Sequence, residues 1–300
     1  MMVNKTIIQN KPSLLPKTKK CKTKYKGGTK TTKLKSALDG DCPLVLEKEN
    51  ANKRDQNIVF VEKGHQYFIN GDSNYISVTT IVRSIFPKFD TDGLIEKMIQ
   101  DKNPKYKDKS PETIKLEWKN NGEMAAMEGT RLHRNIELYS NGIPVIDDSK
   151  EFNFFLSFIE KNPYLEPYRT EWFIYDEEFR IAGSIDMIYK DTRDDTYHIY
   201  DWKRTKPFSS KSSQNNVGFG PFSNIPNSNL WHYSLQLNIY KYLLEKNYNK
   251  IISSMTLCRL HPNSRNYQLV DIKNMTQQVE LLLGIRKQQI QQGKFNFEII

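Results

Sequence analysis

Two apolar segments with a strong β pattern lie within residues 181–206, IAGSIDMIYKDTRDDTYHIYDWKRTK, and a polar turn joins them. Branched and aromatic residues fill both segments, while KDTRDD between them is typical of a turn. We therefore predict a β-hairpin. Each strand carries an aspartate, Asp186 in the first and Asp201 in the second, so the hairpin would place two carboxylates side by side at one end of a sheet.

The second strand ends in Asp201-Trp202-Lys203. Residues two apart on a strand face the same side, roughly 6.5–7 Å apart, so Asp201 and Lys203 project together and Trp202 faces the other way. For this tripeptide alone, a strand-end ion pair is the plainer interpretation. With Asp186 alongside, however, two carboxylates compensated only by Lys203 describe a site for a hard divalent cation such as Mg²⁺ or Mn²⁺.

The remaining periodicity predicts a chain of mixed helices and strands around a central mixed β-sheet, which is an α/β or α+β class. A β-meander is expected over 58–78. Further strands are predicted at 168–176, 179–190, 196–203, 251–260 and 266–272. Helices are predicted at 79–86, 91–101, 110–140 with a break near 120–122, 151–161, 231–247 and 274–292.

The positive charge of the chain is concentrated at its beginning. The net charge is +10, and residues 1–35 contain eleven lysines and no acid, so the other 265 residues sum to about −1. Such a segment has few apolar residues to bury, so we predict a disordered basic tail and linker over 1–53 and a folded domain over 54–300. The tail is interpreted as a phosphate-binding arm or an import signal, with a solubilising leader as the alternative.

Several classes of protein are disfavoured by composition. No run of 18 apolar residues is present, so we expect no membrane contact, and the first twenty residues lack the apolar core of a secretory signal. Cys21, Cys42 and Cys258 are too few for a four-cysteine metal site and too scattered for a disulfide framework. We expect an intracellular protein in a reducing compartment, nuclear or cytoplasmic.

Two predicted helices carry polar pairs at a spacing of four residues, which places each pair on one helix face. His133 and Glu137 lie in GTRLHRNIELYSNG, and Gln236 and Tyr240 lie in SLQLNIYKYLLEKNY. Taken singly, the first pair is more typical of a helix surface and the second of a hydrogen bond at the edge of the core.

The order of these motifs is more informative than any one of them. GxxxHxxxE on a helix, E…GxxD on a strand, DxK on the next strand and QxxxY on a later helix resemble the PD-(D/E)XK nuclease superfamily, specifically its RecB-like exonuclease branch. That branch includes the mitochondrial genome maintenance exonuclease and related viral and phage nucleases. The resemblance covers residues 75–300 and implies an α/β fold with a restriction-endonuclease-like core.

The resemblance also implies roles for the motif residues. Asp186 and Asp201 would bind metal and act in catalysis with Lys203, which would orient or deprotonate the attacking water and stabilise phosphate charge. His133 would be an additional metal ligand, and the carbonyl of Trp202 a further one.

Four other residues would have supporting roles. Gln236 and Tyr240 match the pair that supports the active site and contacts DNA in this branch. Glu137 and Glu171 would either hold metal-bound water or support the fold.

The function implied is a DNA exonuclease dependent on Mg²⁺ or Mn²⁺, acting on single-stranded or duplex ends in repair, recombination or replication, without a small-molecule cofactor. An endonuclease or a ribonuclease of the same fold is an alternative, as is a non-catalytic DNA-binding scaffold. A nuclease fold that has lost its catalytic activity usually lacks one of the residues that correspond to Asp186, Asp201 and Lys203, and all three are present here. Polarity, strand preference and oligomeric state are not encoded in these motifs.

Overall fold

The computed structural model describes residues 44–297 and residue 299. The helices, apart from short 3₁₀ turns, are α1 Val45–Glu49, α2 Val78–Ser84, α3 Thr91–Gln100, α4 Pro111–Ser140, α5 Lys150–Lys161, α6 Asn229–Asn247 and α7 Thr276–Gln291. The strands are β1 Ile58–Val61, β2 Gln66–Ile69, β3 Ile76–Ser77, β4 Leu165–Asp176, β5 Ile181–Asp191, β6 Tyr197–Lys203, β7 Ile252–Arg259 and β8 Gln268–Asp271. Within this part of the chain, no helix combines the length and apolarity that crossing a lipid bilayer requires.

A six-stranded mixed sheet forms the centre of the domain. Its path runs β3-β5-β6-β7-β8, and β4 pairs with the other edge of β5. The β4–β5, β5–β6 and β7–β8 pairs are antiparallel, whereas β3–β5 and β6–β7 are parallel. The predicted hairpin of β5 and β6 is therefore present, and the α/β fold class with a mixed sheet flanked by helices is confirmed.

Each face of the sheet is covered by helices through its own apolar cluster. One cluster joins the sheet to α2, α6 and α7, and it includes Ile185, Ile199 and Leu237. The other joins the sheet to α4 and α5, and it includes Phe158 and Trp202. Burial of each such side chain stabilises the fold by about 1.5–3 kcal/mol, so both helical layers are held firmly against the strands.

Serine caps determine where three of the helices begin. The hydroxyl oxygens of Ser77, Ser110 and Ser149 accept hydrogen bonds from backbone N–H groups in the first turns of α2, α4 and α5. Pro111 follows Ser110 at the first helical position, where its missing N–H has no intrahelical partner to lose. The predicted starts at Ser110 and Ser149 thus agree with the structure.

Helix α4 has no break, contrary to the prediction near residues 120–122. Gly122 has open space around it, and the helix runs through it without interruption. An exposed glycine costs a helix only about 1 kcal/mol. Both ends of α4 are packed. Ile114, near its start, is buried in a small apolar cluster with Ile95 of α3, and Leu132 and Ile136, near its end, are buried in the cluster that joins α4 to the sheet. The burial of these side chains outweighs the cost of the glycine.

The predicted meander is a hairpin plus a separate strand. β1 and β2 form their own two-stranded sheet, whereas β3 pairs in parallel with β5. β3 leads directly into α2, whose Val78, Ile81 and Val82 are buried in the main core, so helix packing determines its partner.

Residues 44–53, which were predicted as linker, form packed elements in the structure. Residues 44–75, called here the N-terminal extension, lie against β4, and Leu46 in α1 is buried. The extension covers the outer edge of β4, which would otherwise expose unpaired backbone groups. Residues 44–53 are thus packed elements rather than linker. The basic tail predicted before them lies outside the described residues.

Candidate active site

Strand β5 has two different partners along one edge, and the gap between them defines the site. β3 pairs with Ile181 and Ala182, whereas β6 pairs from Met187 onward. Because β4 occupies the opposite edge along the whole strand, residues 183–186 lie in a fork between β3 and β6. Asp186 is the last residue of this fork and projects where the sheet opens.

The three residues of the predicted acidic and basic set meet at this fork. The Nζ atom of Lys203 lies 2.6 Å from Asp201 Oδ2 and 3.7 Å from Asp186 Oδ2. The backbone N–H of Trp202 donates to Asp186 Oδ2 at 3.0 Å, which fixes the carboxylate against the next strand. The indole of Trp202 is buried on the opposite face among the α5 phenylalanines, as the period of two predicts.

His133 reaches the same fork from α4. Its Nδ1 atom lies 3.6 Å from Asp186 Oδ2, and its Nε2 atom lies 2.8 Å from the carbonyl oxygen of Trp202. Two adjacent ligands of an octahedral Mg²⁺, each about 2.1 Å from the ion, would lie about 3.0 Å apart. His133 Nε2 therefore faces the Trp202 carbonyl while Nδ1 faces the carboxylates, so in this conformation the imidazole can share an ion with one of these two sides and not with both.

Glu171 joins this group more closely than its sequence context indicates. Its Oε1 atom lies 3.5 Å from His133 Nδ1, and Ser184 Oγ donates to its Oε2 at 3.1 Å. Ligand atoms from His133, Glu171 and Asp186 all lie within 4.8 Å of one another. Glu171 is thus placed where it could bind an ion directly, in addition to the supporting roles expected of it.

The QxxxY pair lies behind the fork. Gln236 Nε2 donates to Tyr240 Oη at 3.0 Å, and Tyr240 is buried against Gly183. Glu137, by contrast, is outside the ligand group. It is buried, and its Oε2 accepts from Arg134 Nη1 at 2.7 Å, which favours the fold-supporting alternative for this residue.

The donor set fits a hard divalent cation. Its carboxylates are ligands that suit Mg²⁺ or Mn²⁺, whereas the imidazole of His133 is a softer ligand that is more typical of transition metals. Asp201 is buried beside this set, and its Oδ2 atom lies 2.6 Å from the ammonium of Lys203. In the ion-free site, Lys203 therefore compensates the charge of Asp201.

The charged groups of the site change one another's pKa values. Burial lowers the pKa of His133, but the carboxylates of Asp186 and Glu171 outweigh it and raise the value to about 9. Burial likewise lowers the pKa of Lys203, and Asp201 and Asp186 more than reverse this, so it lies above the ordinary lysine value. Burial raises the pKa of Asp201, although Lys203 opposes that shift. Without an ion, His133 and Lys203 are therefore both cationic at neutral pH.

A family model matches the chain across this whole site. The PD-(D/E)XK nuclease superfamily model aligns with residues 97–298, which is more than half of the chain and includes α4, β4–β6 and α6. This chain belongs to the PD-(D/E)XK nuclease superfamily. Membership supports nuclease activity, and nucleases of this superfamily generally use divalent metal ions.

Solved structures similar to this PD-(D/E)XK chain are distant. The crystal structure of SSO0001 shares 16% identity, covers 74% of this chain and 79% of its own, and superposes with a TM-score of 0.33. A protein from Eubacterium rectale described as a candidate exonuclease shares 10% identity over 73% of this chain and 79% of its own, with a TM-score of 0.30. No curated protein matches the chain at a significant level.

Two polar residues of this PD-(D/E)XK site were not part of any motif identified in the sequence. Ser184 precedes Asp186 by two residues on the same strand and binds Glu171, and Tyr233 places its ring 5.1 Å from Lys203 Nζ. Tyr233 lies three residues before Gln236, so helical spacing could have identified it. Ser184 could have been found from its period-two relation to Asp186.

The affinity of this PD-(D/E)XK site for metal is expected to rise with pH. His133 must lose its proton to bind an ion, and its pKa of about 9 keeps it protonated at neutral pH. Between pH 6.5 and 8.5 the affinity for Mn²⁺ should therefore rise, by up to about tenfold per pH unit. Isothermal titration calorimetry measures this directly. The His133→Gln variant should show a flatter dependence, and an equal slope in both proteins would contradict the prediction.

Replacement of Gly183 by alanine is expected to disturb the PD-(D/E)XK site by displacing Tyr240, which packs against Gly183. A Cβ atom at this position would lie 2.7 Å from Cε1 and 2.9 Å from Oη of Tyr240, a ring that is itself buried. Overpacking of this kind costs about 1–3 kcal/mol. Chemical denaturation should show that loss together with reduced cleavage. Gly284→Ala, in open space on α7, is the control and should leave stability equal or higher.

Proposed function

We propose that the protein is a metal-dependent exonuclease that hydrolyses phosphodiester bonds from DNA ends in repair, recombination or replication. The observation that carries the hydrolytic part is the meeting of Asp186, Asp201 and Lys203 at the fork of β5. Preference for ends rests on the resemblance of the motif order to the RecB-like branch.

The chain's own residues divide the work of catalysis in this proposal. His133, through Nδ1, and Asp186 would hold Mg²⁺ or Mn²⁺ together with Glu171 and the nearby Asp201, while the Trp202 carbonyl faces the other ring nitrogen of His133. The bound cation would supply Lewis acidity that neutralises charge developing on the phosphate.

Lys203 acts as a cation and hydrogen-bond donor toward the scissile phosphate. The neighbouring carboxylates keep its amine protonated in the ion-free site, so donation is favoured over proton abstraction. Gln236 and Tyr240 hold the back of the fork, where their hydrogen bond keeps the α6 side of the site in place.

Lys203→Ala is expected to reduce metal-dependent cleavage strongly. Purified protein would be incubated with end-labelled single-stranded, duplex and covalently closed circular DNA, and with RNA, in Mg²⁺, Mn²⁺ or EDTA. We expect loss of linear DNA only, reduced about 10³-fold or more in the variant because a preorganised cation at the phosphate is removed. Lys190→Ala removes the same charge at the far end of β5, where Lys190 pairs with Asp195, and should cleave normally.

Other outcomes of that experiment correspond to the alternative functions. Cleavage of closed circles would identify an endonuclease, and cleavage of RNA alone a ribonuclease. DNA binding without cleavage in either metal would contradict the enzyme and favour the scaffold.

A further inference from the structure

The backbone at Glu171 has an unusual conformation for a residue inside a strand. Its φ angle is +43°, in the left-handed region that side chains other than glycine rarely adopt. Thr170 and Trp172 pair regularly with β5, so the left-handed residue lies opposite Asp186, and a separate register shift lies between Pro167 and Arg169. Such a conformation persists only where the surrounding structure holds it.

The consequence of this conformation is the position of one carboxylate. Glu171 turns toward α4, where its Oε1 atom is 3.5 Å from His133 Nδ1. Ser184 holds its other oxygen. The distorted residue is therefore the one that brings a further acid to His133 and Asp186.

Asp55 of the N-terminal extension binds the residues on both sides of Glu171. Its Oδ2 accepts from Arg169 Nη1 at 2.7 Å, and its Oδ1 accepts from Trp172 Nε1 at 2.8 Å. Arg169 and Trp172 are both buried, and the guanidinium lies 4.7 Å from the indole centroid. One carboxylate thus clamps the two long side chains that flank the distortion.

The space around Glu171 shows what this clamp prevents. A cavity of about 90 Å³ lies between the extension and β4, and its lining includes Glu47, Asp55 and Glu171. If the flanking residues were released, Glu171 would have room to relax toward this cavity and away from His133. Because the cavity leaves Glu171 without close packing on the side of the extension, its position depends on the contacts of Asp55 with Arg169 and Trp172.

We infer that Asp55 is a positioning residue for the candidate metal centre, which it completes by holding Arg169 and Trp172 so that Glu171 faces His133. The inference rests on the proposed metal-dependent function. It assigns the N-terminal extension a part in metal binding, although the family model begins only at residue 97.

The test measures Mn²⁺ binding to the full chain by calorimetry, independently of cleavage. Asp55→Asn keeps the size of the side chain but removes its charge, and Trp172→Phe keeps an aromatic ring, although a smaller one, and removes the N–H donor. Loss of a partner that orients a ligand weakens metal affinity about 10–100-fold, which we expect for Asp55→Asn, with a smaller loss for Trp172→Phe. The control is Glu177→Gln, which removes the 2.6 Å ion pair of the extension with Glu177 at the end of β4 and should bind Mn²⁺ normally.

A double variant separates positioning from simple destabilisation. Because Asp55 acts through Glu171, Asp55→Asn should have little further effect on Mn²⁺ affinity in a Glu171→Gln background. Equal losses in both backgrounds, or wild-type affinity in Asp55→Asn with only a lowered melting temperature, would overturn the inference. Wild-type protein that binds no Mn²⁺ would instead remove the proposed metal centre itself, and the inference with it. If Asp55→Asn does not fold, Trp172→Phe in the two backgrounds decides the question.

Discussion

Asp186→Asn is expected to reduce DNA cleavage by at least about 10³-fold and to weaken Mn²⁺ binding strongly. Asp186 is the last residue of the fork, and its carboxylate lies within 3.6–3.7 Å of both His133 and Lys203. A divalent ion contributes several kcal/mol of charge stabilisation to phosphate hydrolysis, and each 1.36 kcal/mol is a factor of ten in rate. Removal of one carboxylate charge from the ligand set should forfeit most of that contribution.

The fold should survive this substitution. Asparagine can still accept the hydrogen bond from the Trp202 N–H through its amide oxygen, and the repulsion of Asp201 by a second carboxylate disappears. Cleavage rates, Mn²⁺ titration and melting temperature would be measured together. Asp195→Asn, on the exposed turn before β6, is the matched control and should cleave normally. An Asp186→Asn protein with cleavage within tenfold of wild type would exclude Asp186 from the metal site.

Phe158→Ala is expected to lower the free energy of unfolding by about 3–5 kcal/mol. Phe158 in α5 is completely buried, and its ring centroid lies 5.2 Å from that of Tyr200 and 5.5 Å from that of Trp202. Truncation removes the apolar contact area and leaves a cavity that the surrounding aromatic rings can fill only partly. These rings belong to β6, so the loss also loosens the strand that carries Asp201 and Lys203.

Urea denaturation followed by circular dichroism measures this effect. Phe89→Ala provides the control, because Phe89 is 55% exposed and its truncation should change stability by no more than about 1 kcal/mol. If the two variants lost equal stability, the aromatic cluster beneath β6 would not be the support that the structure indicates.

Local sequence patterns predicted several features of the site correctly. Period-two alternation correctly placed the Trp202 indole on the face opposite the DxK charges, and the four-residue helical spacing correctly joined Gln236 to Tyr240. The hairpin of β5 and β6 also followed from its turn chemistry. These features are local, since each depends on residues within one element or on one short turn.

Two features depended on contacts between residues far apart in the chain. β3 left the expected meander because the buried face of α2 draws it to β5, and α4 continued through Gly122 because both of its ends are anchored. Glu137 is different: its spacing from His133 suggested a place at the site, but its carboxylate binds Arg134, three residues earlier on the same helix. Side-chain spacing determines a face of a helix, whereas packing determines what that face meets.

The sequence alone thus predicted the residue types of the site, the order of the motifs and the periods of the strands and helices, because each is a property of a short segment. The left-handed backbone of Glu171 and its clamp by Asp55 were not readable, because Asp55 meets Arg169 and Trp172 across separations of 114 and 117 residues. No local preference encodes such a meeting. It arises only when the extension closes over β4, since that closure buries Arg169 and makes a carboxylate partner necessary.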